Sequence, residues 1–202
     1  MRLFVAICLS DEIKDSLCDT IEELRSVARR GRFTYRENLH LTMVFIGETS
    51  RVDDILDVME DVAAEFFTEA IPLTLTSPGV FRGRSGDLHW VGVENTPELK
   101  RLAKALAAGL AAEGFPIEKR RFTPHITIAR EVVIVPPTIP EVKGIYPVNE
   151  KAPGAAAGQA SNTPADIRVY PASMLADHIS LMRSERINGR LVYTEIAAVP
   201  CG

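Results

Sequence analysis

The four-residue pattern His-x-Thr-x occurs twice, as "HLTM" at His40–Met43 and as "HITI" at His125–Ile128, each time inside an apolar run. The offset is 125 − 40 = 85 residues, and it also aligns the surroundings. "LFVAICL" from Leu3 falls on "LHWVGVE" from Leu88, Leu17 on Leu102, Ile21 on Leu106, and Arg36 on Arg121. Both frames read as strand, helix, basic approach, His-strand. Self-similarity at a fixed period marks a repeated structural unit. A length of 202 residues suits one domain of two similar lobes. The first frame is expected over about 1–80 and the second over about 86–131.

Local signals fill in the frames. Residues 2–9 read as a strand, and Ser10 can cap the helix after it, with Asp11 and Glu12 near its positive end. Ile13, Leu17, Ile21, Leu24 and Val27 keep a helical stripe, and Gly31 suits its stop. The first His-strand spans 39–46 and closes at Gly47. A second helix is expected over 52–67, with Val52, Ile55, Leu56, Met59, Val62, Ala63 and Phe66 on one face. "PLTLTSPGVF" reads as a strand ending in a Pro-Gly turn. In the second frame Thr96-Pro97 opens a helix carrying Leu99, Leu102, Leu106 and Leu110, which Gly114 ends. "DHISLMRSE" and "GRLVYTEIAAV" form a strand pair around Asn188-Gly189. The stretch 150–166 is Ala, Gly, Pro, Ser and Asn without periodicity, and is expected to be a mobile surface insertion that leaves the motifs intact.

Bulk properties exclude several classes. No apolar run is long enough to span a membrane, and the N-terminal stretch reads as a strand rather than a signal peptide. Cys8, Cys18 and Cys201 are odd in number and lack CxxC or Cys/His spacing. That argues against a disulfide framework and a zinc site, and for a reducing cytoplasm. A formal net charge of −4 excludes a general nucleic-acid binder, so an anionic substrate needs a local basic patch.

The motif itself carries chemistry. In a strand, residues i and i+2 share a face. His40 and Thr42 therefore project together, as do His125 and Thr127, while Leu41, Met43, Ile126 and Ile128 anchor the other side. Lobes that face each other would gather two imidazoles and two hydroxyls around one small volume. That set suits metal-free phosphoryl chemistry. One neutral histidine takes a proton from the attacking oxygen, one charged histidine gives a proton to the leaving oxygen, and hydroxyls bind the phosphate. The two sites look equivalent, so symmetry alone does not say which histidine does which.

With the flanks "RLFVAICL", "NLHLTMVFIGE", "PGVF", "RFTPHITIAR" and "LMRSE", the paired motifs resemble the 2H phosphoesterase superfamily. Within it they resemble the RNA 2′,3′-cyclic phosphodiesterase, or 2′-5′ RNA ligase-like, family. The likeness covers residues 2–131 and 177–197, and the 150–166 segment departs from the family pattern. The resemblance implies an α+β, bilobal, pseudo-two-fold fold with two mainly antiparallel sheets lining a central cleft and helices outside. It implies metal-independent hydrolysis of a 2′,3′-cyclic phosphate end to a 2′-phosphate, with no cofactor. It makes His40 the proton donor, His125 the proton acceptor, and Thr42 and Thr127 the phosphate ligands. It adds Arg130, whose parity is wrong for the histidine face unless the strand bends. The expected partners are RNA ending in a 2′,3′-cyclic phosphate or a small cyclic nucleotide; the chain is expected to be a cytoplasmic monomer with no metal.

Other readings remain open at this point. The same residues could join RNA ends in reverse, or a non-catalytic RNA or nucleotide-binding module could keep the cleft. His89 and His178 lack a Thr partner and read as structural; Trp90 and Phe81 read as core. Arg29, Arg30, Arg32, Arg36 and Lys119, Arg120, Arg121 precede the motif histidines and suit capture of a polyanion, with Tyr35 placed to stack.

Overall fold

The computed structural model describes residues 1–119, 121–134 and 167–201. The expected insertion at 150–166, and Arg120, lie outside the described residues. The elements are β1 (Arg2–Cys8), α1 (Asp11–Val27), β2 (Ala28–Phe33), β3 (His40–Glu48), α2 (Val52–Phe66) and β4 (Ile71–Phe81), followed by β5 (Asp87–Val93), α3 (Pro97–Ala112), β6 (His125–Ile134), β7 (Ser173–Ala176), β8 (His178–Ile187) and β9 (Arg190–Pro200). A 3-10 turn, Arg36–Asn38, precedes β3.

The strands form two antiparallel sheets, ordered β3-β1-β8-β9 and β2-β6-β5-β4-β7. This is the α+β architecture of two facing antiparallel sheets that the motif resemblance implies. Each motif strand pairs with the opening strand of its own frame: β3 with β1, and β6 with β5. Helix α1 lies against β2, β6 and β7 of the second sheet. Helices α2 and α3 pack on each other, with α2 against β9 and α3 against β3 of the first sheet.

Strand β1 shows how the sequence builds both sides of a sheet. Leu3, Val5 and Ile7 enter the main core, while Phe4 and Ala6 enter a second cluster with Met182, against which Cys8 and Tyr193 pack. That second cluster lies on the face that carries His40, since Phe4 packs against the His40 ring.

The capping expectations hold: Ile13 N donates to Ser10 Oγ, and Leu99 N donates to Thr96 Oγ1. Several boundaries differ. Helix α1 ends at Val27, and Gly31 lies inside β2, a strand absent from the sequence reading. Helix α2 ends at Phe66, which is exposed, and the buried aromatic is Phe67 just after it. Pro78-Gly79 is not a turn, because β4 runs through it to Phe81. Pro78 follows a register shift in the β4–β5 pairing, the kind of place where a missing ladder N–H is tolerated. Gly79 is required there, since a Cβ would lie 2.1 Å from the Trp90 ring. Asn188 and Gly189 both adopt positive φ, 51° and 79°, closing the β8–β9 hairpin as expected.

Candidate active site

His40 and His125 open their strands at matching places, and each ring is oriented by the same device. His40 Nδ1 lies 2.8 Å from the Asn38 carbonyl, and His125 Nδ1 lies 2.8 Å from the Thr123 carbonyl. A carbonyl only accepts, so each Nδ1 carries a proton and each Nε2 is left to work. Asn38 and Thr123 are themselves 85 apart. His40 Nε2 is 2.9 Å from Thr42 Oγ1.

Both rings stand among aromatics. His40 packs against Phe4 at 4.9 Å between centroids and meets Tyr193 edge-on at 4.9 Å. His125 meets Phe81 edge-on at 5.3 Å and Trp90 at 5.8 Å. His40 is the more enclosed. Burial pushes its pKa from 6.5 to about 4, against the Asn38 carbonyl bond, which favours the charged ring; the Arg130 and His125 charges push further down.

The bend that Arg130 needs is present. In β6, Ile128 and Ala129 are both buried, so alternation slips by one and Arg130 turns toward the cleft. The pairing registers shift around it on both sides, and Glu131 adopts φ 55°. The first motif repeats this at the same offset: Met43 and Val44 are both buried and Phe45 turns outward. Since 130 − 45 = 85, Phe45 is the counterpart of Arg130, and both line the cleft. The offset could have found Phe45, but the sequence reading missed it.

The cleft has a volume of about 810 Å³, and its lining includes His40, Thr42, His125, Thr127 and Arg130 together. The other contributions come from elements remote in sequence. Arg32 and Phe33 come from β2, Phe81 from β4, and Arg186, Arg190 and Tyr193 from the β8–β9 hairpin. Phe81 is 44% exposed, a cleft wall rather than core. Tyr35 also lines the cleft, with the Arg190 guanidinium over its ring at 3.6 Å.

The basic approach is placed differently from expectation. Arg36 is held by Asp11 and Asp15 at the start of α1, with charged contacts of 3.0 and 2.8 Å, and it does not line the cleft. Arg121 does not line it either. Arg32 does, but is ion-paired with Glu131. His89 is buried, as a structural residue should be, and burial lowers its pKa. His178 is not in the core: it is partly exposed and bonded to Asp177.

Asn38 ties the site together. Its side-chain amide donates to Leu191 O at 2.9 Å and its Oδ1 accepts from Tyr193 N at 3.3 Å, while its own carbonyl orients His40. Asn38→Ala orphans both β9 backbone groups. We expect a loss of roughly 1–3 kcal/mol for each, read by denaturant unfolding.

A family model described as the 2′-5′ RNA ligase superfamily matches residues 13–188. The chain belongs to this superfamily. Similar proteins include an RNA 2′,3′-cyclic phosphodiesterase of Thermotoga maritima, 33% identical over 133 residues, which is 64% of this chain and 70% of the relative. One of Methanothermobacter thermautotrophicus is 28% identical over 199 residues, 97% of this chain and 96% of that one. One of Escherichia coli is 32% identical over 154 residues, 74% and 83% of the two chains. Among solved structures, Escherichia coli LigT complexed with 3′-AMP superposes with a TM-score of 0.68 at 25% identity, covering 98% of this chain and 97% of that one. The fold is also that of Thermus thermophilus TT0787, with a TM-score of 0.70 at 24% identity, covering 100% and 98%. Among the described residues no helix is long and apolar enough to cross a membrane.

Proposed function

We propose that this member of the superfamily is an RNA 2′,3′-cyclic phosphodiesterase that opens the cyclic phosphate at an RNA end to a 2′-phosphate. One observation carries the reading: two imidazoles, each with Nδ1 tied to a carbonyl two residues back, stand in one cleft with two threonines and an arginine. The names of the relatives support the substrate. Residues 1–202 act as one bilobal unit.

Water attacks phosphorus, and His125 Nε2 takes its proton. The bond from phosphorus to O3′ breaks, and His40 Nε2–H gives O3′ its proton. The products are a 2′-phosphate and a free 3′ hydroxyl. Thr42, Thr127 and Arg130 hold the non-bridging oxygens, where charge builds up. Phe45 and Phe81 offer ring surfaces to the terminal nucleotides and Arg186 offers charge to the strand behind them, while Arg190 covers one face of Tyr35 and is ion-paired with Glu37.

The test is incubation with a short RNA ending in a 2′,3′-cyclic phosphate, with the position of the product's phosphate assigned. We expect a 2′-phosphate, formed with EDTA present as well as without it. A 3′-phosphate would mean that the other P–O bond breaks. Tight binding without turnover would leave a nucleotide-binding module. Activity abolished by EDTA and restored by a divalent cation would remove the two-histidine mechanism.

A further inference from the structure

Beside the cleft, the last residue of β1, the first of β8 and a mid-strand residue of β9 converge on one corner of the first sheet. Cys8 lies across the strand pair from His40. The β1–β8 register, with Ala6 opposite Ser180, runs on to place His178 alongside Cys8. Glu195 reaches over from β9: its Oε2 accepts from Ser180 Oγ at 2.7 Å and lies 3.6 Å from Cys8 Sγ. One ligand atom from each of Cys8, His178 and Glu195 lies within 4.8 Å of the others.

We propose that Cys8, His178 and Glu195 form a binding site for a single zinc-class cation, separate from the histidine pair. The spacing fits. Zinc bonds of about 2.3 Å to sulfur and 2.0–2.2 Å to oxygen, at a tetrahedral angle, place S and O about 3.5 Å apart. The Cys8–Glu195 pair, joined now by a thiol hydrogen bond, is at 3.6 Å, and the three ligand atoms, within 4.8 Å of one another, would draw in around an ion. The histidine is already oriented: Asp177 Oδ1 holds its Nδ1 at 2.6 Å, leaving Nε2 as the free donor. A carboxylate behind the ring is the usual support of a metal-bound imidazole. Thiolate, imidazole and carboxylate together select zinc-class ions over magnesium or calcium. Three protein ligands leave a fourth position for water.

A cation binding here must displace the Cys8 thiol proton, which burial and Glu195 help to hold, although the Ser180 hydroxyl works the other way; binding therefore weakens as pH falls. The site was not legible as a motif, because its ligands are 170 and 17 residues apart along the chain (178 − 8 and 195 − 178). The lack of Cys/His spacing that argued against zinc in the sequence does not bear on ligands brought together by a sheet.

The test is titration of the metal-free protein with cobalt(II), followed by absorption, then displacement by zinc. We expect one equivalent to bind with a thiolate-to-cobalt charge-transfer band. Cys8→Ser should abolish the band, Glu195→Gln should weaken binding at least tenfold, and Asp177→Asn should weaken it about 10–100-fold. The double variant His40→Ala/His125→Ala should keep the band, which separates this site from the proposed reaction. Each variant's melting temperature is compared with that of the parent protein, and the near-isosteric Glu195→Gln serves should Cys8→Ser fail to fold. Absence of the band, its survival in Cys8→Ser or unchanged affinity in a folded Glu195→Gln would overturn the site. So would loss of the band in the double histidine variant.

Discussion

His40→Ala and His125→Ala each lower turnover of a 2′,3′-cyclic phosphate end by about 10²–10⁴-fold, the usual worth of one positioned proton transfer. The double variant is only slightly slower than the worse single one, because residues acting as a unit do not contribute additively. A substrate whose 3′ oxygen leaves easily restores His40→Ala, which then has no need of a donor, and leaves His125→Ala slow. Rescue of the opposite variant reverses the two roles. The variants also differ in structural cost. His40 sits between Phe4 and Tyr193 with Nδ1 on Asn38, so its removal opens a gap between those two rings. His125 is the more open ring, and its loss should leave melting nearly unchanged. Losses of turnover are therefore compared in samples shown to be folded at the assay temperature.

The paired histidines were legible because a strand has period two and the motif recurs in register. His40 with Thr42, and His125 with Thr127, follow from that alone. What surrounds them was not legible, for three physical reasons. Strand β2, "ARRGRF", carries three arginines and a glycine. Its strand character comes from the open edge of β6 and not from its own propensity. Pro78-Gly79 carries a turn signal, yet the strand continues because a register shift accommodates the proline and the Trp90 ring needs the bare glycine. Arg186, Arg190 and Tyr193 reach the cleft only because β8 pairs with β1, a contact between chain segments about 180 residues apart (184 − 2 = 182 at one end of the ladder). Phe45 is the instructive case: once Arg130 was suspected, the offset pointed to its counterpart, but the bulge that turns both side chains into the cleft shows only in the folded register.

The proton inventory of the free protein sets the sharpest remaining expectation. His40 is the proposed donor, yet burial holds its pKa at about 4. At pH 7 that leaves about one molecule in 10³ charged, three pH units below half-protonation. The substrate supplies the missing term. A phosphate monoanion about 4 Å away, at an effective dielectric near 20, is worth about 4 kcal/mol, or about three pKa units. His40 should therefore titrate near 4 in the free protein and near 7 with a phosphate bound, which NMR of the imidazole reads directly. The wild-type rate profile alone cannot assign the roles, since a coupled pair gives the same bell whichever member holds the proton. The substrate with an easily leaving 3′ oxygen assigns them, because it bypasses a missing donor and not a missing acceptor. The phosphate titration adds an independent check. A His40 that rises to near 7 with phosphate bound is charged often enough to give a proton at neutral pH. A His40 that stays near 4 with phosphate bound is neutral at pH 7 and would have to serve as the acceptor, which exchanges the two histidines.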